Sequence, residues 1–431
     1  MTALTIRSVL GRRVWDSRGR PTVEAEVTLS DGAVGRAITP AGASKGTREA
    51  LELRDGTAAL GGLDVRHAVD HVNGEIAQVL LGTPADDQAA LDQRLIELDG
   101  TPTKARLGAN ATLAVSMAAA HAVAASHRVP LYRLLGGDAA TLLPTPQIQI
   151  FGGGAHAGRR VDIQDFMVVC PGAECFRQAL EWTAEVYRAA GALMQQRGSS
   201  TGVADEGGWW PDFDTNEQAL EALVTAIEQA GFVPGEQVAI ALDIAASEFG
   251  HAGRYALGLE SREFDSDGLS ELLLRWIDKY PIASIEDPLG EDDVVGFMRF
   301  TQAVGDRVQI VGDDYLVSHA PLILEAARVG AANTVLLKPN QRGTLTETLA
   351  AWHSAQEVGY AAIVSARSGE TEDTTIVHLA IGWQVGQLKV GSFARGERMA
   401  KWNEALRIEE RLGPTARFAG ASTFGRNPTR R

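Results

Sequence analysis

The sequence predicts an α/β protein, with a smaller α+β N-terminal domain followed by a closed (β/α) barrel that carries the chemistry. Three observations lead there. Strand patterns precede helix patterns up to about residue 128, the order of an α+β unit. Beyond it, short apolar runs recur, each ending in a charged residue and each followed by a helical stretch. The charged residues Asp243, Glu286, Asp313, Lys338, Arg367 and Lys389 are spaced by 43, 27, 25, 29 and 22 positions, about one strand plus one helix each. A doubly wound open sheet is the structural competitor. Charges after so many separate strands favour a parallel barrel, where they converge on one mouth.

The elements follow in order. Leu4–Val9 is extended, Asp16–Gly19 reads as a turn, and Thr22–Leu29 alternates Val23, Ala25, Val27 and Leu29 with polar residues, the period of a half-buried strand. Ala111–Ala125 is Ala-rich and interrupted by Thr112, Ser116 and His121, which makes it a buried helix and not a membrane span. Leu134–Pro146, with two glycines and two prolines, is the expected boundary between a domain over residues 1–135 and a barrel over 140–431. The apolar runs of the barrel then end at or lead to Asp243, Glu286, Asp313, Lys338, Arg367 and Lys389. A loose basic tail closes the chain at Pro428–Arg431.

Composition narrows the function. The 431 residues carry 40 Lys+Arg against 55 Asp+Glu, a net charge of −15, which argues against nucleic acid as partner. Cys170 and Cys175 form no disulfide framework, and their spacing matches no zinc site, so a reducing compartment is expected. Arg12-Arg13 is followed by no apolar export segment. The expectation is a cytoplasmic enzyme with no membrane association.

The chemistry sits at the strand ends. Asp243, Glu286 and Asp313 would repel one another if buried together, and a divalent cation resolves this. Three hard oxygen ligands suit Mg²⁺ better than zinc. Each acid taken singly is equally well a helix cap or a surface group. Lys338 and Lys389 occupy equivalent positions, and a lysine beside another cation and near metal has its pKa lowered toward the range of a base. Each could equally be held in a salt bridge. Arg367-Ser368-Gly369 offers a guanidinium fork and a hydroxyl to a phosphate. Asp205-Glu206-Gly207-Gly208 places two acids on a tight turn, suited to a general acid or simply to a turn. Gly152–Ala157 matches a dinucleotide fingerprint, but the strand-like Val161–Val168 follows where that fingerprint needs a helix. A mobile active-site loop carrying His156 is the better reading.

At this point the sequence resembles the enolase (phosphopyruvate hydratase) family over nearly its whole length. The blocks that carry the resemblance are Asp16–Gly19 with Pro21–Glu24, Gly42–Ser44, Gly108–Ala111, Asp205–Gly208, Ser284–Asp287, Gly312–Asp314 and Arg367–Asp373. The resemblance implies an enolase-type barrel with an irregular first portion and dehydration of 2-phosphoglycerate to phosphoenolpyruvate. It implies two Mg²⁺ per site, the first on Asp243, Glu286 and Asp313 and the second on Ser44. Lys338 takes the place of the base, and Glu206 that of the acid for the C3 hydroxyl. Lys389 pairs with the substrate carboxylate, Arg367 and Ser368 bind phosphate, and His156 and Gln164 contact the small phosphorylated substrate. A homo-oligomer, dimer or octamer, is implied in the same way.

Departures from the family pattern cluster in the same loops. Asp165 stands where the family has Glu, a carboxylate that helps handle the leaving hydroxyl. Ala366 stands for His and Gly152 for Asn, while Lys45, Arg159, Arg160 and Arg342 add charge. Extra room and extra cations suit a larger, more anionic phosphoglycerate, as in the enolase-like carboxyphosphonoenolpyruvate synthases of phosphinate antibiotic pathways. The same departures would also suit a weakened paralogue or a non-catalytic binding protein on the enolase fold.

Overall fold

The computed structural model describes residues 4–198 and 202–424, so the basic tail lies outside the described residues. The N-terminal sheet is a meander of β1 (Ile6–Trp15), β2 (Pro21–Leu29) and β3 (Val34–Ile38). The first turn is built by Asp16, whose Oδ1 accepts the amides of Arg18 and Arg20, with Gly19 in the left-handed region at φ 68°. Val23, Ala25, Val27 and Leu29 are fully buried, as their alternation requires. They pack on the helix Ala109–Ser126. That helix is buried on nearly every side, which explains a composition of small residues. A Cβ at Gly35 of β3 would lie 2.1 Å from the backbone nitrogen of Ala122, so glycine sets how closely sheet and helix approach.

The expected boundary segment is not a simple linker. It opens on the last turn of the helix Leu131–Gly136 and holds β4 (Leu142–Leu143), and Pro146 already belongs to β5 (Thr145–Gly152). β4 pairs with β16 (Arg417–Phe418), near the end of the described chain.

The barrel is closed, in the order β11-β12-β13-β14-β15-β5-β6-β7. Its further strands are β6 (Asp165–Val169), β7 (Ala239–Asp243), β11 (Ile282–Glu286), β12 (Gln309–Gly312), β13 (Thr334–Leu337), β14 (Ala361–Ser365) and β15 (Gln387–Gly391). A small meander, β8 (Gly250–His251), β9 (Arg254–Leu257) and β10 (Arg262–Asp265), stands outside it. An open doubly wound sheet is excluded.

The barrel is not all parallel. β6 runs antiparallel to both β5 and β7. The connection from β5 contains no crossover helix and closes on itself, Gly153 donating to Gln164 O at 2.8 Å and Gly154 to Val161 O at 3.0 Å. The strand expected over 161–168 begins at Asp165, because residues 161–164 belong to this closure. Reversal of β6 has a functional consequence. Its first residues, not its last, face the catalytic mouth, and Asp165 pairs in register with Gly152 on one side and Asp243 on the other.

Candidate active site

Asp243, Glu286 and Asp313 arrive at the barrel mouth because each ends, or directly follows, a fully buried strand. Asp243 and Glu286 are paired across β7 and β11. Two lysines are inserted among the three acids, Lys389 on β15 from across the barrel and Lys338 from the end of β13, next to β12. Lys389 Nζ donates to Asp243 Oδ2 and Glu286 Oε2, both at 2.8 Å, and lies 3.4 Å from Asp165 Oδ2. Lys338 Nζ is bonded to Asp313 Oδ2, and Gln341 Nε2 reaches Asp313 Oδ1 at 2.8 Å.

The charge balance explains the titration of the group. Burial and the neighbouring Asp243 push Glu286 well above the carboxylate range, against the pull of Lys389. Burial also disfavours the Asp313 anion, but Lys338 and Arg367 outweigh it and hold Asp313 low. Lys338 departs from the expectation of a lowered pKa. Burial lowers it, but the Asp313 carboxylate dominates and the net direction is upward. Three acids are thus gathered around two lysines in a buried setting, with Glu286 the one that burial holds toward its neutral form.

Glu286 Oε1 and Gln164 Oε1 are buried without a hydrogen-bond partner. Gln164 Nε2 donates to Asp243 Oδ2 at 3.1 Å, which places its orphaned oxygen beside the acids. Orphaned hard oxygens among clustered carboxyl groups fit a magnesium ion on Asp243, Glu286 and Asp313. Among the described residues the acids that converge within 4.8 Å are a different set, Asp287, Asp313 and Asp314, and likewise His156, Asp165 and Glu206.

His156, Asp165 and Glu206 form the second half of the cleft. His156 sits in a short 3₁₀ turn, Gly154–Ala157, and its Nδ1 lies 3.0 Å from Asp165 Oδ1. Its Nε2 lies 3.7 Å from Glu206 Oε1 and 3.5 Å from Ser368 Oγ. Burial opposes a charge on the ring, but Glu206 and Asp165 overcome it and carry His156 up to about 9. The same contact, with Lys389, holds Asp165 well below the carboxylate range in spite of burial. The pair thus favours Asp165 as the anion and His156 as the cation.

Arg367 and Ser368 follow β14, and Ser44 comes from a loop of the N-terminal unit to line the same cleft. A Cβ at Gly42 would lie 2.1 Å from Arg367 Nη2, so this loop can cross the guanidinium only as glycine. Both terminal nitrogens of Arg367 are engaged. Nη1 meets Glu49 Oε2 at 3.1 Å and Asn340 Oδ1 at 2.9 Å, while Nη2 meets Glu49 Oε1 at 3.2 Å and Ser44 O at 3.0 Å. The cleft is also lined by Ala366.

The added cations do not face this cleft as free charges. Lys45 pairs with Glu52 at 2.6 Å, Arg159 with Glu248 at 2.8 Å, Arg160 with Asp212 at 2.6 Å and Arg342 with Glu347 at 3.5 Å. Each is matched by a local carboxylate. The expectation that they recruit a more anionic substrate finds no support in this arrangement.

Family models for the enolase N-terminal domain and for the enolase C-terminal TIM barrel domain match residues 6–135 and 140–427. The chain belongs to the enolase family. It is 50% identical over 427 residues to Enolase 1 of Desulfitobacterium hafniense (strain Y51), covering 98% of each chain. The enolase resemblance read from the motifs stands, and with it the barrel and the hydro-lyase class. The comparisons give no support to a modified substrate or to a non-catalytic enolase-fold protein. No helix among the described residues is long and apolar enough to cross a membrane.

Several site residues escaped the sequence. Glu49 lies in the Ser44 loop and meets Arg367 only through the tertiary fold. Asp287 accepts the amides of Asp313 and Asp314 at 2.9 and 2.8 Å, with its own φ at 41°. Its position directly after Glu286 was the available signal. Gln341, three residues after Lys338, had a similar one. Gln149 had none.

Proposed function

We propose that the protein dehydrates 2-phosphoglycerate to phosphoenolpyruvate, with Lys338 as base and Glu206 as acid. The observation that supports this reading is that Lys338 and Glu206 line one cleft with Asp243, Lys389, Arg367 and Ser368. Magnesium, a general requirement of the family, supplies positive charge for the carboxylates of site and substrate when bound, and Asp243, Glu286 and Asp313 would hold one ion and Ser44 help hold a second.

The chain's own groups account for the proton transfers. Lys338 Nζ takes the proton from C2 as the neutral amine, which requires that it first leave Asp313 and lose its own proton. The electron pair forms the C2–C3 double bond, the C3–O bond breaks, and Glu206 gives the departing hydroxide a proton to make water. Lys389 pairs with the substrate carboxylate, where the charge of the transition state accumulates. His156, as a cation beside Glu206, faces the leaving group, and Gln164 and Ser368 orient the substrate. Arg367 binds phosphate after giving up Glu49. Asp165 acts by keeping His156 charged and not as a proton carrier.

The family also supports a division of the chain near residues 135–140, a homo-oligomer and a cytoplasmic location. Turnover of 2-phosphoglycerate with saturating Mg²⁺, followed by the ultraviolet absorbance of the enol, tests the activity. A rate comparable to a conventional enolase is expected. A rate lower by orders of magnitude with Mg²⁺ bound would refute the substrate assignment.

A further inference from the structure

Gln149 is fully buried on β5 and has no part in the chemistry above. Its side chain nonetheless touches three segments that carry it. The Gly208 amide donates to Gln149 Oε1 at 2.9 Å. Because a backbone N–H can only donate, this contact fixes which end of the side-chain amide is oxygen. The Nε2 end must then face Asp165 Oδ1, to which it is bonded, with His156 Nδ1 at 3.4 Å. The ring's Nδ1 and the amide's Nε2 are therefore two donors converging on one carboxylate oxygen.

The surroundings are shaped for this residue. A Cβ at Gly208 would lie 2.5 Å from Gln149 Oε1, and a Cβ at Gly152 would lie 3.0 Å from the same atom and 2.6 Å from Ala204 Cβ. Gln149 thus runs between two positions that have no side chain, which supplies a physical reason for glycine at 152. The amide joins the turn that bears Glu206 to the pair that bears the His156 charge.

We propose that Gln149 is a positioning residue for the dehydration: it fixes the distance between the Glu206 turn and the Asp165–His156 pair, and its length is matched to an aspartate at 165. This rests on the assignment of Glu206 as the acid. It extends that reading by naming what holds the acid and the cation in register. A displacement of about 1 Å at such a site costs on the order of 10²-fold in rate.

The test compares wild type, Gln149→Leu, Gln149→Asn and the pair Gln149→Asn/Asp165→Glu in the Mg²⁺-loaded enzyme with 2-phosphoglycerate. Leu removes both hydrogen bonds at nearly constant volume. Asn keeps the amide but falls one methylene short, and Glu at 165 restores that reach. Both single variants are expected to lose about tenfold or more in kcat with KM little changed, since the groups assigned to the substrate's phosphate and carboxylate are untouched. The pair is expected to recover most of the loss, and ¹⁵N-histidine NMR should show His156 Nδ1 displaced in the single variants and returned in the pair. Single variants that melt earlier but keep kcat within about twofold would make Gln149 merely structural and overturn the proposal. Absence of recovery in the pair would overturn the length match. Glu206→Gln is the control for the underlying reading: if it retains turnover, the acid assignment fails, whereas an inactive Glu206→Gln beside a fully active Gln149→Leu sinks the positioning role alone.

Discussion

Replacing His156 by Gln should remove a pH-dependent component of stability whose size follows from the site. The ring's ordinary value is 6.5, and Glu206 with Asp165 raises it to about 9 against the cost of burial. At about 1.4 kcal/mol per pH unit, that interval corresponds to roughly 3 kcal/mol favouring the folded state. The folded pKa is above the unfolded one, so the contribution is fully present below pH 6.5 and is lost as pH rises through about 9. The assay is a set of denaturation curves between pH 6 and 10 for wild type and His156→Gln in chelator, with the histidine signal titrated by NMR in parallel. Wild type is expected to lose roughly 3 kcal/mol more than the variant over that range, with an NMR midpoint near 9. Parallel stability curves, or a ring that titrates near 6.5, would refute the claim that the site holds His156 as a cation.

Lys338→Ala should lower kcat by at least about 10²-fold while leaving the circular dichroism unchanged, and substantial remaining turnover would remove it as base. Lys389→Met leaves Asp243 and Glu286 unpaired, so it should cost about 3–5 kcal/mol in chelator and regain part of this with Mg²⁺. Equal stability with and without the ion would contradict the charge accounting. Glu49→Gln weakens the competitor for Arg367, and inorganic phosphate should then bind more tightly by a factor of about three or more in calorimetry; weaker binding would mean that Glu49 helps the site and does not block it. Chelation should abolish turnover reversibly, and Mg²⁺ should restore it.

Much of this molecule is legible from the chain alone. Strand alternation over Val23–Leu29, the buried Ala109–Ser126 helix and the charged residues after each apolar run are local patterns, set by burial on one face or on all faces of a single element. Because barrel strands deliver their ends to one mouth, a local pattern at Asp243, Glu286, Asp313, Lys338 and Lys389 already locates a site. The family motifs add roles to those positions.

Partners are a different matter, because a charge in a sequence does not say what neutralises it. Lys45, Arg159, Arg160 and Arg342 look like unassigned cations in the chain, yet each has a carboxylate partner, and for Arg160 and Arg159 it lies 52 and 89 positions away. The pKa of Lys338 turns on whether Asp313 or another cation is its nearest neighbour, and packing alone decides that. Direction of a strand is likewise invisible to periodicity: β6 reads the same forward or reversed, yet its reversal is what carries Asp165 to the mouth and under the amide of Gln149. Sequence by itself determined the elements, the barrel and the residue types at its rim, since these follow from short-range patterns of burial. Tertiary structure decided which charges pair, which proton each holds and which loops are tied together, because electrostatics and hydrogen bonding act through distances in space that the order of residues does not contain.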